Sequence, residues 1–123
     1  MNAKQIGTEL VALCREGKNM ECIDKHYAED VESVEAFAMG GGDRVTKGIA
    51  AVRGKNEWWM NNHEVHSATA EGPYPHGDDR FVVRFTYDIT QKATGQRMKM
   101  DEMGLFTLKN GKIAKEEFFY DMG

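Results

Sequence analysis

The chain has 123 residues, 41% hydrophobic and 29% charged, which suits one globular domain with a single core. A net charge of −4 with no clustered basic face argues against a nucleic-acid partner. No apolar run is long enough to span a membrane, and the N-terminal MNAKQIGTEL lacks the apolar stretch of a secretion signal.

Apolar residues at Ile6, Leu10, Leu13 and Cys14 share one face of a predicted helix from Ala3 to Glu16, with Gly17 as its stop. Asn19 opens a short second helix that carries Met20, Ile23 and Tyr27 inward. The two cysteines, Cys14 and Cys22, sit in these separate helices without CxxC spacing. They read as reduced thiols of a cytoplasmic protein. Val31 to Phe37 is a predicted strand. Gly40-Gly41-Gly42-Asp43 follows as a turn, and no Gly-Lys-Ser/Thr follows to make it a phosphate loop.

A third helix is predicted over Lys47–His63, with Ile49, Val52, Asn56, Trp59 and Met60 at helical spacing. Glu64 to Ala70 is a modest strand, and Gly72 to Gly77 is expected to be a turn or an irregular edge. Arg80 to Thr90 is the clearest strand, because Phe81, Val83, Phe85, Tyr87 and Ile89 alternate with mostly polar residues. No linker or repeat divides the chain, so residues 1–123 are expected to form a single domain.

Two turns then fix an expected register. A four-residue loop through Lys92-Ala93-Thr94-Gly95 pairs Ile89 with Met98, Tyr87 with Met100, Phe85 with Glu102 and Val83 with Gly104. Asn110-Gly111 is the strongest two-residue hairpin pattern, since both residues tolerate the positive φ of a type I′ turn. An uninterrupted ladder from that turn pairs Leu108 with Ile113, Phe106 with Lys115, Gly104 with Glu117 and Glu102 with Phe119. Period-two alternation then puts Glu102, Glu117, Phe119 and Asp121 on one face with Phe85, Tyr87, Met98 and Met100. The opposite face carries Val82, Met103, Leu105, Phe118 and Tyr120. With all three helices needed for the first face, a second copy of the chain is expected to cover the other.

Helices followed by a long antiparallel sheet make an α+β arrangement. Tyr27-Ala28-Glu29-Asp30-Val31, Gly48-Ile49, and Asn110-Gly111-Lys112-Ile113 before Glu-Phe-Phe-Tyr-Asp resemble a SnoaL-like protein of the nuclear-transport-factor-2-like superfamily. The resemblance runs through nearly the whole chain in order of elements. It implies a cone-shaped curved sheet closed by the three helices around a pocket, and a homodimer formed through the sheet. Relatives include polyketide cyclases, ketosteroid isomerase, limonene epoxide hydrolase and non-catalytic binding modules, so the fold alone does not choose a function. Laid over this chain, the ketosteroid isomerase base falls on Glu35, its oxyanion tyrosine on Leu10 and its protonated aspartate on Gly104. Only the first of these positions holds a carboxyl group here.

Glu102 is the leading candidate for chemistry, because a carboxyl among Phe85, Met100, Phe106 and Phe119 must be protonated, hydrogen-bonded or facing a cavity. Glu117 and Glu35 are the candidate partner acids. Tyr87, Phe85, Met100, Trp59, Phe119 and Asp121 are the candidate substrate contacts. His63-Glu64-Val65-His66 lacks the helical HExxH spacing of a metal site, and no metal or cofactor is expected. No serine or cysteine stands beside a histidine in a nucleophile motif. Two functions follow. One is a cofactor-free acid–base enzyme of isomerase, cyclase or hydrolase type, acting on an apolar carbonyl- or epoxide-bearing molecule. The other is a ligand-binding or dimerising module that does no chemistry. An enzyme needs two polar groups converging on one spot, whereas a binder needs one anchor.

Overall fold

A computed structural model describes residues 1–37 and 43–121. The Gly40-Gly41-Gly42 turn therefore lies outside the described residues. Helix α1 (Ala3–Arg15) starts with a capping box, in which the Asn2 side chain accepts from the Gln5 amide and the Gln5 side chain accepts from the Asn2 amide. It buries Ala3, Ile6, Gly7, Leu10 and Val11, a stripe at helical spacing, and Gly17 ends it at φ +74°. A methyl group on Gly7 would lie 2.6 Å from Pro73 Cβ, so a glycine here lets α1 press onto the edge of the sheet. Helix α2 (Asn19–His26) follows, capped at Lys18 rather than at the expected Asn19.

Among the described residues the sheet has six strands: β1 (Tyr27–Val34), β2 (Val45–Lys47), β3 (His63–His76), β4 (Arg80–Gln91), β5 (Arg97–Lys109) and β6 (Lys112–Phe119). Their order across the curved, unclosed sheet is β2-β1-β6-β5-β4-β3. Helix α3 (Ile49–Asn62) lies between β2 and β3 in the chain and opens at Gly48, φ +90°. The first and last strands thus lie side by side, with β1 paired to β6 in parallel while the remaining pairs are antiparallel. The stretch Gly72–His76 belongs to the edge strand β3, with a register shift between Glu71 and Tyr74 that accommodates Pro73. Phe81, Val83, Phe106 and Ile113 on the inner face pack with Ile6, Leu10, Val31 and Val52 to form the core.

The β4–β5 ladder matches the expected register pair for pair, from Val83 with Gly104 to Ile89 with Met98. The β5–β6 ladder does not. Leu108 pairs with Ile113, but Thr107 then pairs with Lys115, which leaves Ala114 as a bulge residue without a partner in the ladder. From there every side chain of β6 is reversed relative to an unbulged strand. Glu116 and Phe118 turn inward, and Glu117 and Phe119 turn outward. The expected pairs Phe106 with Lys115, Gly104 with Glu117 and Glu102 with Phe119 are therefore corrected to Phe106 with Glu116, Gly104 with Phe118 and Met103 with Phe119. Burial gives the physical reason, since an unbulged β6 would turn Lys115 and Glu117 into the core.

Candidate active site

The helices and the inner face of the sheet enclose a cavity of about 440 Å³. Phe85 and Tyr87 of β4 and Met100, Glu102 and Phe106 of β5 form its floor, because alternate residues of paired strands share a face. Helix α3 brings Lys55 and Trp59 to one wall, one turn apart on the stripe that begins at the buried Val52. Glu116, Phe118 and Tyr120 enter from the last strand and its end, a placement that depends on the Ala114 bulge.

A hydrogen-bonded chain crosses the cavity wall. Val31, Ser33 and Glu35 alternate along one face of β1 and its continuation, and the parallel register sets Ser33 beside Glu116. Ser33 Oγ donates to Glu116 Oε2 at 2.6 Å, and Tyr27 Oη donates to Glu116 Oε1. Lys55 Nζ donates to Ser33 Oγ at 2.6 Å and to Glu35 Oε1 at 2.8 Å. Tyr120 Oη donates to Glu35 Oε2 at 2.9 Å. Both oxygens of Glu35 and of Glu116 are thus occupied. Glu116 is 2% exposed, and burial raises its carboxyl pKa, against the pull of the Ser33 and Tyr27 hydrogen bonds and of Lys55.

Glu102 is different. It stands opposite Phe85 in the ladder and has no hydrogen-bond partner among the described residues. Burial raises its carboxyl pKa to about 7, with Glu35 and Glu116 pushing the same way and Lys55 pulling it back. Tyr87, diagonal to it on β4, likewise has a hydroxyl without a protein partner, and burial above all holds that phenol in its protonated form. Its ring stacks on Phe85 and meets Trp59 at 5.4 Å between centroids. Burial also pushes the Cys14 thiol, on the α1 side of the cavity, up to about 12, which keeps it unreactive at neutral pH.

Of the residues expected to form the site, Glu102, Glu35, Tyr87, Phe85, Met100 and Trp59 line this cavity. Glu117, Phe119 and Asp121 do not. The bulge turns Glu117 to the outer face, 3.7 Å from Lys115, and leaves Phe119 exposed, while Asp121 is exposed beyond the end of β6. Phe118 and Tyr120, expected on the outer face, are cavity residues instead. Sequence reasoning also missed Tyr27, Ser33, Lys55 and Glu116. Lys55 left one trace, a lysine three residues past Val52 on the inward stripe of α3. Among the described residues no group of three His, Cys, Asp or Glu side chains is placed to hold a metal ion. His63 stacks on Trp59, and the exposed His66 bonds Thr90.

The sequence profile of the SnoaL-like domain matches residues 1–120. This chain belongs to the SnoaL-like family. A candidate SnoaL-like polyketide cyclase from Mesorhizobium loti, also labelled a carbohydrate phosphatase, is 46% identical over 98% of this chain and 100% of its own, with a TM-score of 0.89. A second candidate SnoaL-like polyketide cyclase, from Jannaschia sp., is 16% identical over 97% of this chain and 88% of its own, with a TM-score of 0.74. A nuclear-transport-factor-2-like protein from Burkholderia thailandensis is 16% identical over 98% and 92%, with a TM-score of 0.81. The last two share the fold alone. No protein of curated function matched the chain.

Within this SnoaL-like domain the ketosteroid isomerase pattern is kept at one position of three. Glu35 and Leu10 both line the cavity, but Gly104 packs behind it. A Cβ at Gly104 would lie 2.9 Å from a ring carbon of Phe106 and 3.2 Å from one of Phe118, so an aspartate has no room there. The unpartnered acid of this SnoaL-like cavity is Glu102 instead, two residues earlier on the same strand.

Proposed function

We propose that this SnoaL-like domain is a cofactor-independent acid–base catalyst for an apolar, carbonyl-bearing small molecule. The observation that carries this reading is the pair Glu102 and Tyr87, which face one aromatic cavity from adjacent strands without protein partners. A carboxyl with a pKa near 7 populates both of its forms at neutral pH, which suits a group that must take up a proton and return it. Ionised Glu102 accepts a proton from the carbon beside the substrate carbonyl. The electron pair left behind moves onto the carbonyl oxygen, which accepts a hydrogen bond from Tyr87 Oη. Return of the proton at another carbon completes an isomerisation, and attack of the enolate carbon on a second carbonyl, whose oxygen then takes the proton back from Glu102, completes a cyclisation. Glu35, tied to Lys55 and Tyr120, acts through its charge by keeping Glu102 basic. The free thiols Cys14 and Cys22 fit a reducing compartment, and we place the protein in the cytoplasm on that ground.

The test is exchange of the α-protons of 2-tetralone in deuterated buffer, followed by NMR. Enzyme-dependent exchange that falls at least ~100-fold in Glu102→Gln supports the reading. Exchange equal in the two proteins would sink it and leave a ligand-binding module.

A further inference from the structure

Lys55 takes no part in the steps above, yet it is placed as a reactive amine would be. It is the one lysine or arginine among the described residues of the cavity wall, and its side chain is 25% exposed there. Phe118 lies to one side, its ring centroid 6.0 Å from Nζ. This ammonium has two routes by which to lose its proton. One leads directly to Glu35 Oε1 at 2.8 Å. The other passes through Ser33 Oγ at 2.6 Å to Glu116 Oε2, a further 2.6 Å on. Glu116 is sealed from solvent, and burial favours its uncharged form, so it suits the end of a proton path.

We propose that Lys55 is a catalytic amine that forms an imine with the carbonyl of the substrate, an inference that rests on the carbonyl-substrate reading above. Lys55 first gives one ammonium proton to Glu35, leaving a neutral amine and a carboxylic acid. The nitrogen lone pair forms a bond to the carbonyl carbon, and the π pair of the C=O bond moves onto oxygen. A proton passes from nitrogen to that oxygen, giving a carbinolamine. Glu35 then protonates the hydroxyl, the C–O bond breaks, and water leaves. The net change converts a lysine ammonium and a carbonyl into a protonated imine and water, with Glu35 again ionised. The positive nitrogen acidifies the neighbouring C–H, which Glu102 faces from the floor of the same cavity. Hydrolysis by the reverse steps releases the product and restores the lysine.

The experiment treats the whole protein with 2-tetralone and sodium cyanoborohydride at neutral pH and maps the reduced adduct by peptide mass spectrometry. We expect Lys55 to be labelled at least ~10-fold faster than any other lysine, since the others lie outside the cavity. Lys55→Arg keeps the charge beside Glu35 and should lose this label while background labelling elsewhere stays. Labelling of Lys55 no faster than the exposed Lys47 in the unmodified protein overturns the proposal, and that measurement depends on no variant folding. Glu102-dependent α-proton exchange without the Lys55 adduct overturns the imine and leaves the acid–base reading standing. A Lys55 adduct without any exchange does the reverse.

Discussion

Phe106 pairs with Glu116 across the last hairpin, one residue out of step with the pairing of Leu108 and Ile113. That offset delivers Glu116, Phe118 and Tyr120 to the cavity and keeps Lys115 and Glu117 outside it. Deleting Ala114 should close the bulge without turning the strand over, because Lys115 then follows Ile113 directly and still pairs with Thr107. Glu116 and Phe118 keep facing the cavity, and the expected cost by urea denaturation stays below about 3 kcal/mol. A larger loss would mean that Lys115 and Glu117 had turned inward and that the present pairing is wrong.

The turn beyond that bulge is of the type expected, with Asn110 at φ +53° and Gly111 at φ +75°. A Cβ on Gly111 meets nothing within 4 Å, so substitution there tests the backbone alone. Gly111→Val should cost about 1–2 kcal/mol, read as a lowered melting midpoint. An unchanged midpoint contradicts the left-handed conformation at this position.

Glu102 should make stability fall as pH rises. Its folded pKa of about 7 lies above the 4.5 of an unperturbed glutamate, so between those values the folded state binds more protons than the unfolded state. The contribution is therefore full below pH 4.5 and is lost as pH rises through 7. The gap sets a ceiling of roughly 3 kcal/mol, lowered by whatever water reaches the cavity. Glu102→Gln cannot ionise, so it should match the parent near pH 4.5 and exceed its stability by about 2 kcal/mol at pH 8. Denaturation at both pH values checks the sign. A variant less stable than the parent at pH 8 would identify Glu102 as a structural acid and withdraw it from the proposed chemistry.

We propose that two copies of the chain pair through the outer face of the sheet. The bulge revises the membership of that face. Val82, Met103 and Leu105 remain, and Phe119 replaces Phe118 and Tyr120. Met103 and Phe119 are 42% and 54% exposed and adjacent across the ladder, an apolar pair that no helix among the described residues covers. Met103→Lys with Phe119→Lys should give monomers by sedimentation velocity, with the melting behaviour of the fold retained. If the unmodified protein sediments as a monomer at micromolar concentration, the pairing is wrong.

Local chemistry determined much of this SnoaL-like domain. Strict alternation from Phe81 to Ile89, with a short loop ending at the left-handed Gly95, admits one register for β4 and β5, and that register placed Glu102, Tyr87, Phe85 and Met100 together. The helices were likewise legible from their stripes, and the last turn from Asn110-Gly111. What followed that turn was not. Lys115, Glu117 and Phe119 alternate with Glu116, Phe118 and Tyr120, so an aromatic and an acid occupy each face in either register and period-two reading does not choose. The choice belongs to tertiary contacts. Tyr27 and Ser33 on β1 offer two hydroxyls to a buried acid, and the Ala114 bulge is what brings Glu116 to them. The chain from Tyr27 through Glu116, Ser33, Lys55 and Glu35 to Tyr120 joins residues up to 89 positions apart. Propensity and periodicity act over a few residues, whereas the satisfaction of a buried carboxyl is decided only when distant strands and a helix have met.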